Sequence, residues 1–169
     1  LGMKGTYIKV LNEKLIDEAL LTTVAIVICG LGISNTTCDP KKQCFDYFYG
    51  YLCQKQAHNF YPTHLWENGK CDTLKNSYIQ VHKPLAKDAP AAAFDYFKGK
   101  EYSVTKMAEK TVAFIKENQK KPFFLYLPYT GPHVSLQAPD EAVKDYMGQF
   151  EEHPYYGENG YASALYPRA

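Results

Sequence analysis

Two continuous apolar runs and three stretches of helical spacing make up the hydrophobic pattern of this chain. Residues 123–127, FFLYL, form the first run, and Pro122 and Pro128 on either side leave no room for a helix. The run therefore predicts a strand that is buried on both faces, as in a parallel sheet. Residues 22–29, TTVAIVIC, form a β-branched run that predicts a second buried strand.

The helical stretches lie beside these runs. Asn12 can cap a helix that reaches about residue 21, and residues 140–147 predict another short helix. Ser103 is expected to cap the longest helix, residues 103–118, which leads directly into the strand at residues 123–127. A helix followed by a buried strand is half of a βαβ unit and predicts an α/β fold. The apolar stripe of the long helix is expected to comprise Val104, Met107, Ala108, Thr111, Val112 and Ile115.

The middle of the chain follows neither a helical nor a strand period. Residues 45–66 are dense in aromatic side chains and are interpreted as a long functional loop with a short strand at its end. Residues 67–70, ENGK, predict a tight hairpin, because Asn-Gly supplies the positive φ angles of such a turn. The hairpin strands are expected near residues 64–66 and 71–74. Residues 83–97, rich in Pro and Ala, are expected to be irregular.

His133 is the first candidate functional residue. It follows the strand predicted at residues 123–127, on a loop stiffened by Pro128 and Pro132. In open α/β sheets, ligands bind in the crevice beyond the carboxyl ends of the strands. His133 is therefore expected to face a ligand. The alternative is a histidine that only holds its own loop by hydrogen bonding.

Composition excludes some classes of function. A net charge of +1 gives no electrostatic case for binding nucleic acid or a membrane surface, and no apolar stretch is long enough to cross a bilayer. The five cysteines contain no C-x-x-C spacing, so a structural zinc site is not expected. Both ends of the chain are interpreted as cut. Residues 1–169 are therefore expected to form one partial domain of a larger protein.

Two long motifs resemble the sulfatases, most closely their bacterial arylsulfatase A-like branch. They are CDPKKQCFDYFYGYLCQKQAHNFYPTHLWENGK at residues 38–70 and KPFFLYLPYTGPH at residues 121–133. The segments PYYGENGY and YPRA near the end of the chain are also similar to that branch. The resemblance implies an alkaline-phosphatase-like α/β fold, with a mostly parallel sheet flanked by helices. It also implies hydrolysis of sulfate esters.

The resemblance further implies a chemistry. Such sulfatases use a formylglycine nucleophile, made from the cysteine of a C-x-P-x-R signature, and a Ca²⁺ ion held by Asp and Asn. A lysine and histidines assist, because an anionic ester needs cationic groups around it during attack. By this alignment the nucleophile and two metal-ligand aspartates are expected before Leu1, and a further Asp-Asn pair after Ala169. No metal ligand transfers to this chain.

Three histidines are assigned to the substrate site by resemblance. His133 matches the histidine of the family's Pro-His motif, which contacts the substrate sulfate. His58 and His64 lie in the loop that borders the substrate cleft, and each could touch substrate. For His58 and His64 the alternative of ordinary packing within an aromatic loop stays open.

Two positions depart from the family pattern. Ile28 stands where the alignment places the catalytic lysine, and it can neither donate a proton nor hold a sulfate oxygen. Cys38 begins the segment CDPKK, which imitates the nucleophile signature but ends in Lys42 instead of Arg, so it is rejected as the nucleophile. The chain alone is therefore predicted to be inactive.

The main hypothesis is a fragment of a sulfuric ester hydrolase that cleaves a small aryl or carbohydrate sulfate. The first alternative is a degenerate, non-catalytic sulfatase-like domain that binds anionic or sulfated ligands. The second keeps the superfamily and changes the substrate to a phosphate or phosphonate ester. Family resemblance suggests a periplasmic, secreted or lysosomal location.

Overall fold

The structure is a computed structural model that describes residues 22–25, 37, 39–42, 45–131, 133 and 136–151. The helix predicted at residues 12–21, the motif position Ile28, the rejected Cys38 and the tail motifs from residue 154 lie outside the described residues. Among the described helices, none combines the length and the apolar character that a membrane span requires.

A mixed five-stranded sheet forms the centre of the described fold. Its strands lie in the order β4-β3-β2-β1-β5. The central strand β1 runs parallel to both β2 and β5, whereas β2–β3 and β3–β4 are antiparallel pairs. The expected α/β class is present, but the described sheet is mixed and not mostly parallel, because a hairpin has been added to one side of the parallel strands. The strands are β1 Thr22–Ala25, β2 Tyr47–Gly50, β3 His64–Glu67, β4 Lys70–Thr73 and β5 Phe123–Tyr126.

The three parallel strands determine where the loops meet. Thr22 of β1 pairs with Phe123 of β5, and Val24 of β1 pairs with Tyr47 of β2. Parallel strands end at the same edge of a sheet, so the chain leaves β2 and β5 on the same side. The segment that holds His58 and the segment that holds His133 therefore start from one edge.

Strand β5 confirms the strand predicted from FFLYL, but its burial differs from the prediction. Phe123, Phe124 and Leu125 are only half-buried, and Tyr126 is 47% exposed. The physical reason is position: β5 lies at the edge of the described sheet, so it lacks a neighbour on one side. The prediction of strand β1 is confirmed at Thr22–Ala25, and residues 26–29 lie outside the described residues.

The hairpin of β3 and β4 is confirmed, with Asn68 at φ 50° and Gly69 at φ 82°. Glu67 ties the hairpin to two other elements. The Tyr47 hydroxyl of β2 donates to Glu67 Oε1 at 2.6 Å, and the Lys110 ammonium of the long helix donates to Glu67 Oε2 at 2.7 Å. Burial alone would raise the pKa of Glu67, but these hydrogen bonds lower it below its usual range. Strand β2 lies inside the stretch interpreted as a loop, because YFYG is apolar throughout and shows no alternation.

The remaining elements are short helices. Helix α1 spans Gln54–Ala57, and α3 spans Asp140–Lys144, so α3 is shorter than the predicted 140–147. Two 3-10 helices span Pro40–Lys42 and Ala91–Phe97. The second one lies in the stretch expected to be irregular, and it buries Phe94 and Phe97 in a small core cluster with Tyr61.

The long helix α2 spans Ser103–Asn118, as predicted, but it is rotated relative to the predicted stripe. Phe114 is its central core residue, with ring centroids 6.2 Å from Tyr47 and 5.5 Å from Phe123. Val112 and Ile115 are instead 48% and 39% exposed. The buried face comprises Ser103, Met107, Thr111, Phe114 and Asn118.

Polar residues can occupy the buried face of α2 because they bond back to its own backbone. Thr111 Oγ1 donates to the Met107 carbonyl at 2.7 Å, and Asn118 Nδ2 donates to the Phe114 carbonyl at 2.8 Å. The expected cap is wrong: Tyr102 is the N-cap and makes no side-chain capping bond, and Ser103 is the first helical residue. The Ser103 backbone N–H donates to the Phe60 carbonyl at 2.8 Å.

The rotation of α2 predicts unequal effects of two substitutions on the same helix. Phe114→Ala should lower the free energy of unfolding by about 3 to 5 kcal/mol, because it opens a cavity between α2 and the sheet. Val112→Ala should change it by less than about 0.5 kcal/mol, because Val112 is exposed in the described fold. Urea unfolding followed by circular dichroism measures both. Equal losses for the two variants would contradict this orientation of α2.

Candidate functional site

Three histidines from separate segments form a cluster near the carboxyl ends of the parallel strands. The rings of His58 and His133 stack, with centroids 4.1 Å apart and an angle of 21° between their planes. His58 Nδ1 also lies 2.8 Å from His82 Nε2, and these two rings meet edge to face. All three side chains are half-buried, so each is packed and still reaches solvent.

The backbone explains how two of these rings come together. His58 is the C-cap of α1, which follows β2 by a few residues, and His133 is seven residues beyond the end of β5. Because β2 and β5 are both parallel to β1, the two segments leave the same edge of the sheet, on either side of β1. The structure thus brings together two of the three predicted site residues.

A buried glutamine fixes the two segments to each other. Gln137, four residues after His133, accepts the Phe60 backbone N–H on its Oε1 at 2.8 Å. Its Nε2 donates to the Phe97 carbonyl at 2.6 Å and to Asn59 Oδ1 at 3.2 Å. Gln137 is only 6% exposed, so these bonds are protected from water. Asn59 directly follows His58, and the same amide contacts therefore set the position of His58 relative to the His133 loop.

The surroundings of His58 disfavour its charged form. Burial, followed by the proximity of His133 and His82, lowers the pKa of His58 below the ordinary value of 6.5. One proton is enough for the bond between His58 Nδ1 and His82 Nε2, since one nitrogen donates and the other accepts. This pair can take up one additional proton on an outer nitrogen and keep that bond, but a proton on both inner nitrogens would break it.

The third predicted residue, His64, lies in a different environment at the start of β3. Its ring nitrogens lie 3.0 Å from Thr63 Oγ1 and 3.3 Å from Gln56 Nε2, and its ring meets that of Trp66 edge to face. His64 lines a groove of about 530 Å³, and His82 also contributes to its wall. We call this space the lateral groove.

Sequence reasoning missed His82 and Gln137. His82 lies in a stretch without regular secondary structure, where neither hydrophobic period nor motif distinguishes it. Gln137 follows the motif that ends at His133, and its importance depends on backbone groups of residues 60 and 97 that are distant in sequence. A sequence signal for such long-range partners would require knowledge of the sheet order.

The described residues do not fit the calcium ion that the family resemblance implies. Calcium takes six to eight oxygen ligands in proteins, whereas the histidine cluster offers ring nitrogens. Within the part of the chain that the structure describes, no group of three or more His, Cys, Asp or Glu side chains could hold a metal ion.

The shifted pKa of His58 predicts that the described fold loses stability in acid. The folded state resists protonation of His58, while the unfolded chain binds that proton near pH 6.5, so stability present above about pH 6.5 declines as the pH falls below it. The free energy of unfolding should decrease between about pH 7.5 and about pH 5.5. His58→Gln should flatten this decrease. Identical pH slopes for the variant and the wild type would contradict the interpretation.

The contacts of Gln137 predict a large cost for its truncation. Gln137→Ala should lower the free energy of unfolding by about 2 to 3 kcal/mol, because the buried Phe60 N–H loses its acceptor. Gln119→Ala is the matched control, because Gln119 is exposed and its amide donates to the Lys116 carbonyl three residues earlier, so a change below about 0.5 kcal/mol is expected. Denaturant unfolding measures both, and a Gln137 variant as stable as its control would contradict the assignment.

Comparisons with known proteins agree with the resemblance found in the sequence. Residues 18–162 match the family model described as Sulfatase. An uncharacterized sulfatase of Schizosaccharomyces pombe is 32% identical over 117 residues, which are 68% of this chain and 20% of that protein. An arylsulfatase of Klebsiella aerogenes is 42% identical over 52 residues, which are 30% of this chain and 11% of that protein.

The family match covers well over half of the chain, including every described strand. The chain spans about a fifth or less of the length of these two relatives. The chain belongs to the sulfatase family.

Proposed function

We propose that the protein carrying this chain hydrolyses sulfate esters, and that this chain contributes the wall of the cleft where His133 contacts the sulfate group. The observation that supports the proposal most is the stacking of His133 on His58 at the carboxyl ends of parallel strands, within a sulfatase family match. Ligands of open α/β sheets bind at that edge.

The chemistry of the cluster suits an anionic ester. An imidazole N–H can donate to a sulfate oxygen, and a protonated imidazole adds a positive charge as negative charge builds up on the leaving oxygen. A bound anion favours the charged form of His58 and so opposes the lowering of its pKa by burial.

The nucleophile and the metal of this proposal come from outside the described residues. Formylglycine and Ca²⁺ are what the family resemblance implies, and together they would supply attack on sulfur and charge neutralisation. The sequence contains no C-x-P-x-R, and we expect no turnover by this chain alone. What this chain supplies in the proposal is the position and the protonation of the histidines.

A second candidate function is a sulfatase-like domain that binds sulfated ligands without cleaving them. Ile28 favours it, because the alignment places a lysine there and isoleucine carries no charge or proton. Both candidates use the same histidine cluster to bind the anion. The two candidates differ in whether the bound sulfate ester is hydrolysed, and not in how the anion is bound.

The role of His133 predicts a loss of activity in the full-length protein. His133→Ala should lower kcat/KM for nitrophenyl sulfate by about 10²- to 10³-fold, the typical cost of removing one donor to a developing anion. His64→Asn is the matched control and should leave this small substrate nearly unaffected, since His64 is held by Gln56 and Thr63 beside the lateral groove. Steady-state hydrolysis followed by nitrophenol absorbance measures both.

The outcomes separate the candidates. Turnover of nitrophenyl sulfate that exceeds turnover of nitrophenyl phosphate supports the sulfatase, and the reverse order supports a phosphate ester hydrolase. Absence of turnover with retained binding of inorganic sulfate, lost in His133→Ala, supports the non-catalytic candidate. Full activity of His133→Ala would contradict the proposed role of this residue.

A further inference from the structure

The lateral groove lies directly beside the histidine cluster. His82 belongs to both, because it lines the groove and its Nε2 lies 2.8 Å from His58 Nδ1. His58 in turn stacks on His133. A ligand with one group at His133 and a second group in the groove would therefore extend across a short row of three rings.

The groove is biased toward cationic and donor groups. Its charged and titratable lining includes Lys55, His64 and His82, and none of the Asp and Glu residues that the structure describes lines it. The amide of Gln80 adds a further donor, whereas the Gln56 amide holds His64 in place by donating to its carbonyl at 2.9 Å. The whole chain carries nearly equal numbers of acidic and basic residues, 18 and 19, so this local bias is not a consequence of composition.

Lys55 differs from the lysines that support the fold. Lys98, Lys106 and Lys110 each lie within 3.5 Å of a carboxylate. Lys55 is exposed, and no salt bridge to it is found among residues 22–25, 37, 39–42, 45–131, 133 and 136–151. An ammonium group at the rim of a groove is available to an anionic ligand, and a charge-assisted hydrogen bond would form there.

The shape of the groove suits a saccharide. A volume of about 530 Å³ lies within the usual range of small-molecule sites. Ile79 and Val81 line the groove but are only 6% exposed, so Tyr78, which is 76% exposed, offers the more accessible apolar surface. A sugar ring presents apolar C–H faces and a polar perimeter, which match an apolar surface bordered by amides, imidazoles and an ammonium group.

From these contacts we propose that the lateral groove binds a second anionic substituent of a sulfated saccharide while its scissile sulfate ester contacts His133. The inference rests on the proposed function and narrows it, since the substrate becomes a polyanionic carbohydrate sulfate and not a simple aryl sulfate. Lys55 is assigned as the residue that contacts the second anion. His82 lies between the two parts of the ligand, because it lines the groove and also contacts His58 of the histidine cluster.

The test uses the full-length protein and two probes, a disaccharide with one sulfate ester and the same disaccharide with a second sulfate. The wild type should show a KM roughly tenfold lower for the disulfated probe, since one charge-assisted hydrogen bond is gained. Lys55→Gln should remove that advantage and leave kcat and the KM of the monosulfated probe unchanged. Lys87→Gln is the matched control, because it makes the same charge change at an exposed lysine that does not line the groove.

Calorimetric titration of both disaccharides gives a second measurement that does not require turnover. Tighter binding of the disulfated probe, lost in Lys55→Gln and kept in Lys87→Gln, supports the inference even if the protein does not cleave it. Equal affinity of the wild type for the two probes overturns it. Equal effects of the two lysine variants also overturn it, because the preference would then reflect overall charge.

Failure of the inference and failure of the proposed function give different results. If the protein hydrolyses sulfate esters, depends on His133 and shows no preference for a second sulfate, only the groove assignment fails. If neither disaccharide binds and nitrophenyl sulfate is not hydrolysed, both fail together.

Discussion

The side-chain amide of Gln137 holds together the two loops on which the candidate site depends. It is buried, and it satisfies one backbone N–H and one backbone carbonyl from distant parts of the chain while it also contacts the side chain of Asn59. A buried amide with all of these partners gives a defined position, because any displacement leaves polar groups without partners in a medium where they are costly. The stacking of His58 on His133 follows from this fixed relation between the loops.

The sheet brings the His58 and His133 segments to the same edge, and the Gln137 amide then fixes their relative position. Parallel pairing of β1 with β2 and with β5 directs two loops to a common edge. Strand pairing alone does not determine the conformation of either loop. The amide contacts select one path, and the pKa of His58 then falls because its ring is partly buried and lies beside two more imidazoles. The strand pairing thus places the loops, and the position of the loops determines the electrostatic environment of the His58 ring.

The sequence predicts an element correctly where its formation depends on residues that are adjacent in the chain. The Asn68-Gly69 turn and helix α2 were predicted correctly, because turn chemistry and helical period depend on adjacent residues. The buried face of α2 was not, since Phe114 is chosen by aromatic partners on β2 and β5. For the site, the position of His133 after a strand was readable, and its contact with His58 was not. That contact depends on the order of the strands, which no short pattern contains.

The two edges of the described sheet have different chemical character. Strand β4 carries Lys70 and Asp72, and charges on an edge strand disfavour the addition of another strand. Strand β5, FFLY, carries no charge, and its backbone is paired with β1 on one side only within the described sheet. An additional strand, from this polypeptide or from another molecule, would therefore pair more readily with the edge of β5 than with the edge of β4.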